Sequence, residues 1–293
     1  MAIKNEKVLL LQQTATCTSH IIFSMRQLLK PSIFAKAAPI LLLLRTYYSG
    51  ADAMVATATT SKKIFCFGDS LTAGSSPPSL VEHPYAPHLE QTLKSLQGFE
   101  SSSCLVRWKG YPGWTSADLL AEGGLEGILD NIKSKAGPLD LLIVLAGTND
   151  LAYATENDAD KIFNSIVDIH KIAHLNGCKR TIALGIPPSG WQMQSSSARK
   201  LADAVNGKLE SWATKILHSD DDDDGGTQSE ELKEFEEGSG NENGRGTVAF
   251  VPFPIETFDA SSGLWAPDGL HFSPEGYETI GKSLASHVMN VLE

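Results

Sequence analysis

Five short apolar runs punctuate this chain at intervals long enough to hold a helix between each pair. They are Ile64–Phe67, Cys104–Trp108, Leu139–Ala146, Thr181–Ile186 and Val248–Phe253, each bounded by glycine, proline or charge. The intervening segments carry apolar residues at spacings of three and four. Ile162, Ile166, Ile169 and Ala173 form one such stripe, and Leu201, Val205, Leu209, Trp212 and Ile216 another. Ser273 followed by Pro274 opens a last helix that presents Tyr277, Ile280 and Leu284 on one face. Strands that alternate with helices imply a mostly parallel five-stranded sheet covered on both sides, an α/β fold. Ligands of such sheets bind at the carboxyl ends of the strands, so the residues just after each run matter most.

Four of those ends carry groups capable of chemistry. The first run leads into Gly68-Asp69-Ser70-Leu71-Thr72-Ala73-Gly74 and the second into Gly110-Tyr111-Pro112-Gly113-Trp114-Thr115. The third delivers Gly147-Thr148-Asn149-Asp150, and the stretch after the fifth delivers Asp268-Gly269-Leu270-His271. Each alone has a bland reading as a turn or a helix cap. A phosphate loop is excluded at the first, because no Gly-Lys-Ser/Thr follows. Together they fit acyl transfer. A serine hydroxyl needs a base to take its proton, and histidine suits that near neutral pH. The histidine needs a carboxylate on its other ring nitrogen, and Asp268 lies three residues before His271. The tetrahedral oxyanion needs preorganised donors: the backbone N–H groups of Ser70 and Gly113 and the side-chain amide of Asn149.

At these blocks the chain resembles the SGNH, or GDSL-type, hydrolases, through FGDSLTAG, GTND and DGLHFS, over most of residues 62–293. The resemblance implies a flavodoxin-like three-layer α/β/α sandwich with Ser70 as nucleophile, His271 as base and Asp268 as its partner. It also implies Gly113 and Asn149 in the oxyanion hole. The second block departs from the family pattern, with Lys109 and Gly110 where an asparagine is common. Gly113 is the better choice there because Trp114-Thr115 then opens a helix; Gly110 is the alternative. The expected activity is a cofactor-free, metal-free serine esterase acting on small soluble esters. The same residues would serve a thioesterase or a carbohydrate O-deacetylase, and a non-catalytic flavodoxin-like binding protein is the alternative of another class. Trp114, Tyr153 and Trp265 lie near these segments and are candidates to line a substrate pocket, with core packing an equal alternative.

Charge is unevenly spread. The chain carries a formal −11 at pH 7, which argues against nucleic acid as a partner. Yet residues 1–60 hold six basic residues against two acidic ones and are rich in Ser, Thr, Ala and Leu. This reads as a presequence or disordered tail over 1–61, of mitochondrial or plastid type, with a cytoplasmic or secreted location as the alternative. The hydrolase domain would then span 62–293, interrupted at 219–246 by an insertion with eleven acids and two bases. Asp220, Asp222, Asp224, Gly225 and Glu231 satisfy the spacing of a calcium loop, but a run of five aspartates does so cheaply. No apolar run is long enough to span a bilayer; the longest, Ala38–Leu44, sits between Lys36 and Arg45.

Other candidates have plainer readings. His170 and His174 are four apart on one helix face, but Lys171 stands where a zinc-protease helix needs glutamate, so they read as surface or half-buried residues. His83 and His88 flank the start of a helix and read as loop packing. Cys66 and Cys104 read as small buried hydrophobes within strands, Cys178 as a helix-end residue, with no disulfide implied.

Overall fold

The computed structural model describes residues 61–96, 104–218 and 246–293. The basic N-terminal stretch and the calcium-like spacing of the acidic insertion lie outside these residues. Five parallel strands run in the order β2-β1-β3-β4-β5. They are β1 (Lys62–Asp69), β2 (Cys104–Tyr111), β3 (Leu141–Leu145), β4 (Arg180–Leu184) and β5 (Thr247–Val251). This is the flavodoxin-like doubly wound order, which reverses direction between β1 and β3. All five apolar runs of the sequence became strands. β1 and β2 extend past their apolar stretches because Gly68–Asp69 pair with Gly110–Tyr111 at the end nearest the site.

Alternation along each strand sorts the core into two layers. Ile64 and Cys66 of β1 and Leu141, Ile143 and Leu145 of β3 face α2 (Ala86–Ser95) and α8 (Pro274–Leu292). Phe65, Phe67, Leu142 and Val144 face the other way, toward α3 (Ser116–Glu122), α4 (Leu125–Ala136), α5 (Ala159–Leu175) and α7 (Ser196–His218). The two stripes read from the sequence are the buried faces of α5 and α7. Each fully buried aliphatic side chain in these layers contributes roughly 1.5–3 kcal/mol over its exposed state. Ser273 caps α8 as expected, its hydroxyl accepting from the Gly276 N–H at 3.0 Å. Two short helices follow β1 and β4: α1 (Ser70–Ala73) directly, and α6 (Gly190–Gln194) after a five-residue connection at 185–189.

The outer side of β2, an exposed strand edge, is closed by side chains. Glu90 Oε2 accepts the Val106 N–H at 2.8 Å, and Arg107 donates to the Val106 carbonyl at 2.8 Å and to Glu90 at 3.2 Å. These bonds occupy groups that would otherwise template a foreign strand.

Three cysteines are buried and free among the described residues, with burial pushing the Cys66 and Cys178 thiols up to about 12. The histidine pair corrects the sequence reading: His170 and His174 are both buried, not surface or half-buried. The α5 stripe is wider than its aliphatic residues alone, because Trp212 of α7 meets the His170 ring edge-on at 5.4 Å. His174 Nδ1 donates to the Cys178 carbonyl at 2.8 Å, and its Nε2 faces the Thr181 hydroxyl at 3.2 Å. Burial drives His170 down to about 3 and His174 down to about 4, so both rings are neutral.

Acid should therefore unfold this protein. Below the free-histidine value near 6.5 the unfolded chain takes up protons that the folded rings refuse, so stability falls as pH drops. The expected loss is on the order of 5 kcal/mol by pH 4. Thermal melts at pH 7.5 and 4.5 measure it, and His170→Phe should flatten the dependence.

Candidate active site

The three turns that follow β1, β2 and β3, and the loop after β5, meet at the carboxyl end of the sheet beside the β1/β3 reversal. Ser70 is the first residue of α1, placed there because Asp69 ends β1 and caps the helix: its Oδ1 accepts the Leu71 N–H at 2.9 Å. Gly74 closes the helix in the left-handed conformation, with its N–H on the Ser70 carbonyl at 2.9 Å.

His271 reaches Ser70 from the far end of the chain. Its Nε2 lies 2.9 Å from Ser70 Oγ, and its Nδ1 lies 2.6 Å from Asp268 Oδ2. The loop that carries both is held at several points. Asp268 Oδ1 accepts the N–H groups of Leu270 at 2.9 Å and His271 at 3.0 Å. The Gly269 carbonyl accepts the Gly190 N–H of α6 at 2.7 Å, and Trp265 and Phe272 form an antiparallel bridge across the loop's base. Tyr277 of α8 donates to the Ser75 carbonyl at 2.7 Å, which ties the histidine side to the serine side. Partial burial pushes the Asp268 carboxyl up, but the His271 bond and the two backbone N–H groups outweigh it and hold it below the usual range. It is thus an anion facing the ring.

The second block forms a β-turn, Tyr111-Pro112-Gly113-Trp114, closed by the Trp114 N–H on the Tyr111 carbonyl at 3.2 Å. Proline second and glycine third, at φ +83°, is the type II pattern, and the positive φ explains the glycine. Gly110 answers a different demand. It lies within β2, where a Cβ would come 2.2 Å from the Ala73 nitrogen, so its role is the close approach of β2 to α1. Thr115 then caps α3 in a reciprocal capping box with Asp118.

Asn149 lies in a 3₁₀ turn after β3, and its Nδ2 donates to the Trp114 carbonyl at 2.8 Å. One amide hydrogen thereby anchors the side chain against the second block, and the other is left to point elsewhere. Asp150, next in sequence, accepts both the N–H and the hydroxyl of Ser116, at 2.8 and 2.7 Å. Its burial pushes the carboxyl up, and the Ser116 bonds pull it back. Sequence reasoning passed over Asp69, Ser116 and Asp150. Two of them sit directly beside a residue it had chosen, in Asp69-Ser70 and Asn149-Asp150, and that adjacency was the available signal.

The candidate pocket aromatics separate. Trp114 is half-buried and stacked on Tyr111, with ring centroids 4.4 Å apart. Tyr153 is 82 % exposed at the rim of a cavity of about 230 Å³ that also touches Thr115, Ser116, Asp150 and Ile162. Trp265 is a core residue instead, 7 % exposed and packed between Phe258 and Phe272, because its strand-like bridge turns the ring inward. Among the described residues no helix is long and apolar enough to cross a membrane.

A lipase from goat rumen metagenome shares the fold at a TM-score of 0.53 and 15 % identity, over 80 % of this chain and 100 % of that one. A carbohydrate acetylesterase from Sinorhizobium meliloti does so at 0.51 and 19 %, over 78 % and 99 %. An aryl esterase of M. smegmatis does so at 0.50 and 20 %, over 79 % and 100 %. No curated protein matches the chain. The model of GDSL-like lipases and acylhydrolases matches residues 66–279, which include every block that meets at the sheet's carboxyl end. On that match the chain belongs to the GDSL-like lipase/acylhydrolase family and is a hydrolase of ester bonds.

Proposed function

We propose that this chain cleaves small soluble carboxylic esters through an acyl-enzyme on Ser70. The observation that carries the reading is the unbroken run of contacts from Ser70 Oγ to His271 and on to Asp268, at 2.9 and 2.6 Å. In the first half-reaction Ser70 Oγ attacks the acyl carbon while His271 Nε2 takes its proton. Asp268, an anion bonded to Nδ1, keeps the proton of the neutral ring on Nδ1 and stabilises the imidazolium that forms. The carbonyl oxygen, now negative, receives the Ser70 and Gly113 N–H groups and the free amide hydrogen of Asn149. Collapse breaks the bond to the alcohol oxygen, which leaves with the proton from His271. A water, deprotonated by the same ring, then attacks the acyl-enzyme and frees the acid.

A fluorophosphonate probe tests this directly on the full chain. Rapid modification at Ser70, mapped by peptide analysis and lost in His271→Ala, is expected; a folded chain that resists the probe would overturn the reading. An aryl acetate, an acetylated sugar and an acyl thioester compared side by side then rank the substrate classes. The first two follow the aryl esterase and carbohydrate acetylesterase that share the fold.

Asn149→Ala should lower kcat by about 10²–10³ with little change in KM, the usual result of removing one oxyanion donor. Steady-state kinetics on the aryl acetate measure it. A rise in KM at unchanged kcat would assign Asn149 to substrate binding alone.

A further inference from the structure

One buried carboxyl beside the site has no part in the chemistry above. Asp150 is satisfied, with both oxygens on Ser116. Asp69 is not. It is fully buried, its Oδ1 accepts only the Leu71 N–H, and its Oδ2 has no partner of good geometry. Three more polar atoms around it share that condition: Thr72 Oγ1, Tyr85 Oη and Thr148 Oγ1. The Thr148 hydroxyl lies beside the Asp69 carboxyl, and the Tyr85 hydroxyl lies beside the Thr72 hydroxyl and the Cys66 thiol. Buried polar groups without partners are rare and costly, and an ionised carboxylate there would be costlier still. Thr148 Oγ1 can bond the carboxyl in either state, since a hydroxyl both donates and accepts, but only the neutral acid does so without burying a charge.

We propose that Asp69 is a positioning residue acting as a neutral acid: Oδ1 holds the Leu71 N–H, and the Oδ2 proton bonds Thr148. The placement gives this bond its consequence. Asp69 precedes Ser70, and Thr148 precedes Asn149, so the bond sets the spacing between two donors of the oxyanion site. The inference therefore rests on the acyl-enzyme reading.

The surroundings agree. Burial pushes Asp69 up to about 7, against the pull of the Leu71 N–H and the neighbouring Thr148 hydroxyl, and the Asp150 charge adds to the rise. The other titratable groups facing it are Cys66 on β1, Tyr85 before α2 and Tyr277 on α8, all raised far enough to stay neutral. Asp268 and His271 lie beyond Ser70 and Tyr277. Raising pH through about 7 would then remove the Asp69 proton, turn the Thr148 bond round so that its hydroxyl donates to a buried anion, and place that charge beside the donors meant for the oxyanion, lowering activity on the alkaline side.

The test is steady-state kinetics and pH profiles with an aryl acetate on full-length wild type, Asp69→Asn, Asp69→Ala, Thr148→Val and Ser70→Ala, with melting curves for each. Asparagine keeps one acceptor and one donor without charge. Asp69→Asn should retain kcat within about fivefold and lose the alkaline fall, while Asp69→Ala and Thr148→Val lose about 10- to 100-fold in kcat with KM little changed. If Asp69→Ala does not fold, Thr148→Val and the pH profile of Asp69→Asn carry the result. Asparagine as damaging as alanine would overturn the proposal, since charge would then be the requirement. An alkaline limb that survives in Asp69→Asn would overturn it too, as would wild-type kcat in the alanine and valine variants. Turnover by Ser70→Ala would refute the acyl-enzyme reading, and the inference with it, whatever the Asp69 variants do.

Discussion

Ser70→Ala should lower kcat for an ester by about 10⁵ or more while leaving KM and the melting temperature near those of wild type. Removing the nucleophile of a serine, histidine and aspartate set forfeits nearly all of its rate enhancement, and what remains over water comes from binding and the oxyanion donors. Little else should change, because the Ser70 hydroxyl has one hydrogen bond, to His271, and supports no other part of the fold. The cap on α1 belongs to Asp69 and the closing bonds to the Ser70 carbonyl, both of which survive the substitution. A kcat within tenfold of wild type would sink the acyl-enzyme mechanism.

Asp268→Asn should cost about 10³–10⁴ in kcat, again with the fold intact. The side chain does two jobs through two oxygens. Oδ1 holds the loop by accepting the N–H groups of Leu270 and His271, and an asparagine carbonyl can do the same. Oδ2 accepts from His271 Nδ1, and an amide NH₂ in that place offers a donor instead. The ring then meets it with an unprotonated Nδ1, which leaves the proton on Nε2, where Ser70 needs a base. Because bonding holds the Asp268 carboxyl below the usual range, its anion persists into mild acid. Loss of the Asp268 charge should accordingly not set the acid limb of the wild-type profile. Melting curves and a full pH–rate profile of the variant check both halves; near-normal kcat would mean that Asp268 only shapes the loop.

Much of the fold was legible because parallel sheets buried on both faces write themselves as continuous apolar runs. β3, with five consecutive buried aliphatic residues, could scarcely be anything else at that length. The candidate site was legible for a related reason: strand ends are where such folds expose chemistry, and the stretches after β1, β2, β3 and β5 carried it. What stayed hidden depends on pairings across the sheet. Gly110 and Gly113 are alike in sequence, and only the contact of β2 with α1 assigns the first to packing and leaves the second to the type II turn. His170 read as surface or half-buried because a polar ring breaks the apolar pattern, and only Trp212, arriving from another helix, explains its burial. Trp265 read equally as pocket lining or as core, and a bridge to Phe272 that no sequence pattern announces turns it into the core. Asp69 and Asp150 stayed in the shadow of their neighbours, since nothing in FGDS or GTND says which residue acts and which one holds it.

The proposed nucleophile and base, Ser70 and His271, stand 201 residues apart, near the two ends of the described fold. A polypeptide still emerging from the ribosome therefore carries a serine that no group has yet made reactive, however well β1 and α1 have formed. On the proposed mechanism reactivity waits until the loop bearing His271 has met Ser70, with α8 tied to the serine side through Tyr277. Labelling by an active-site probe would then report that the two ends of the fold have joined.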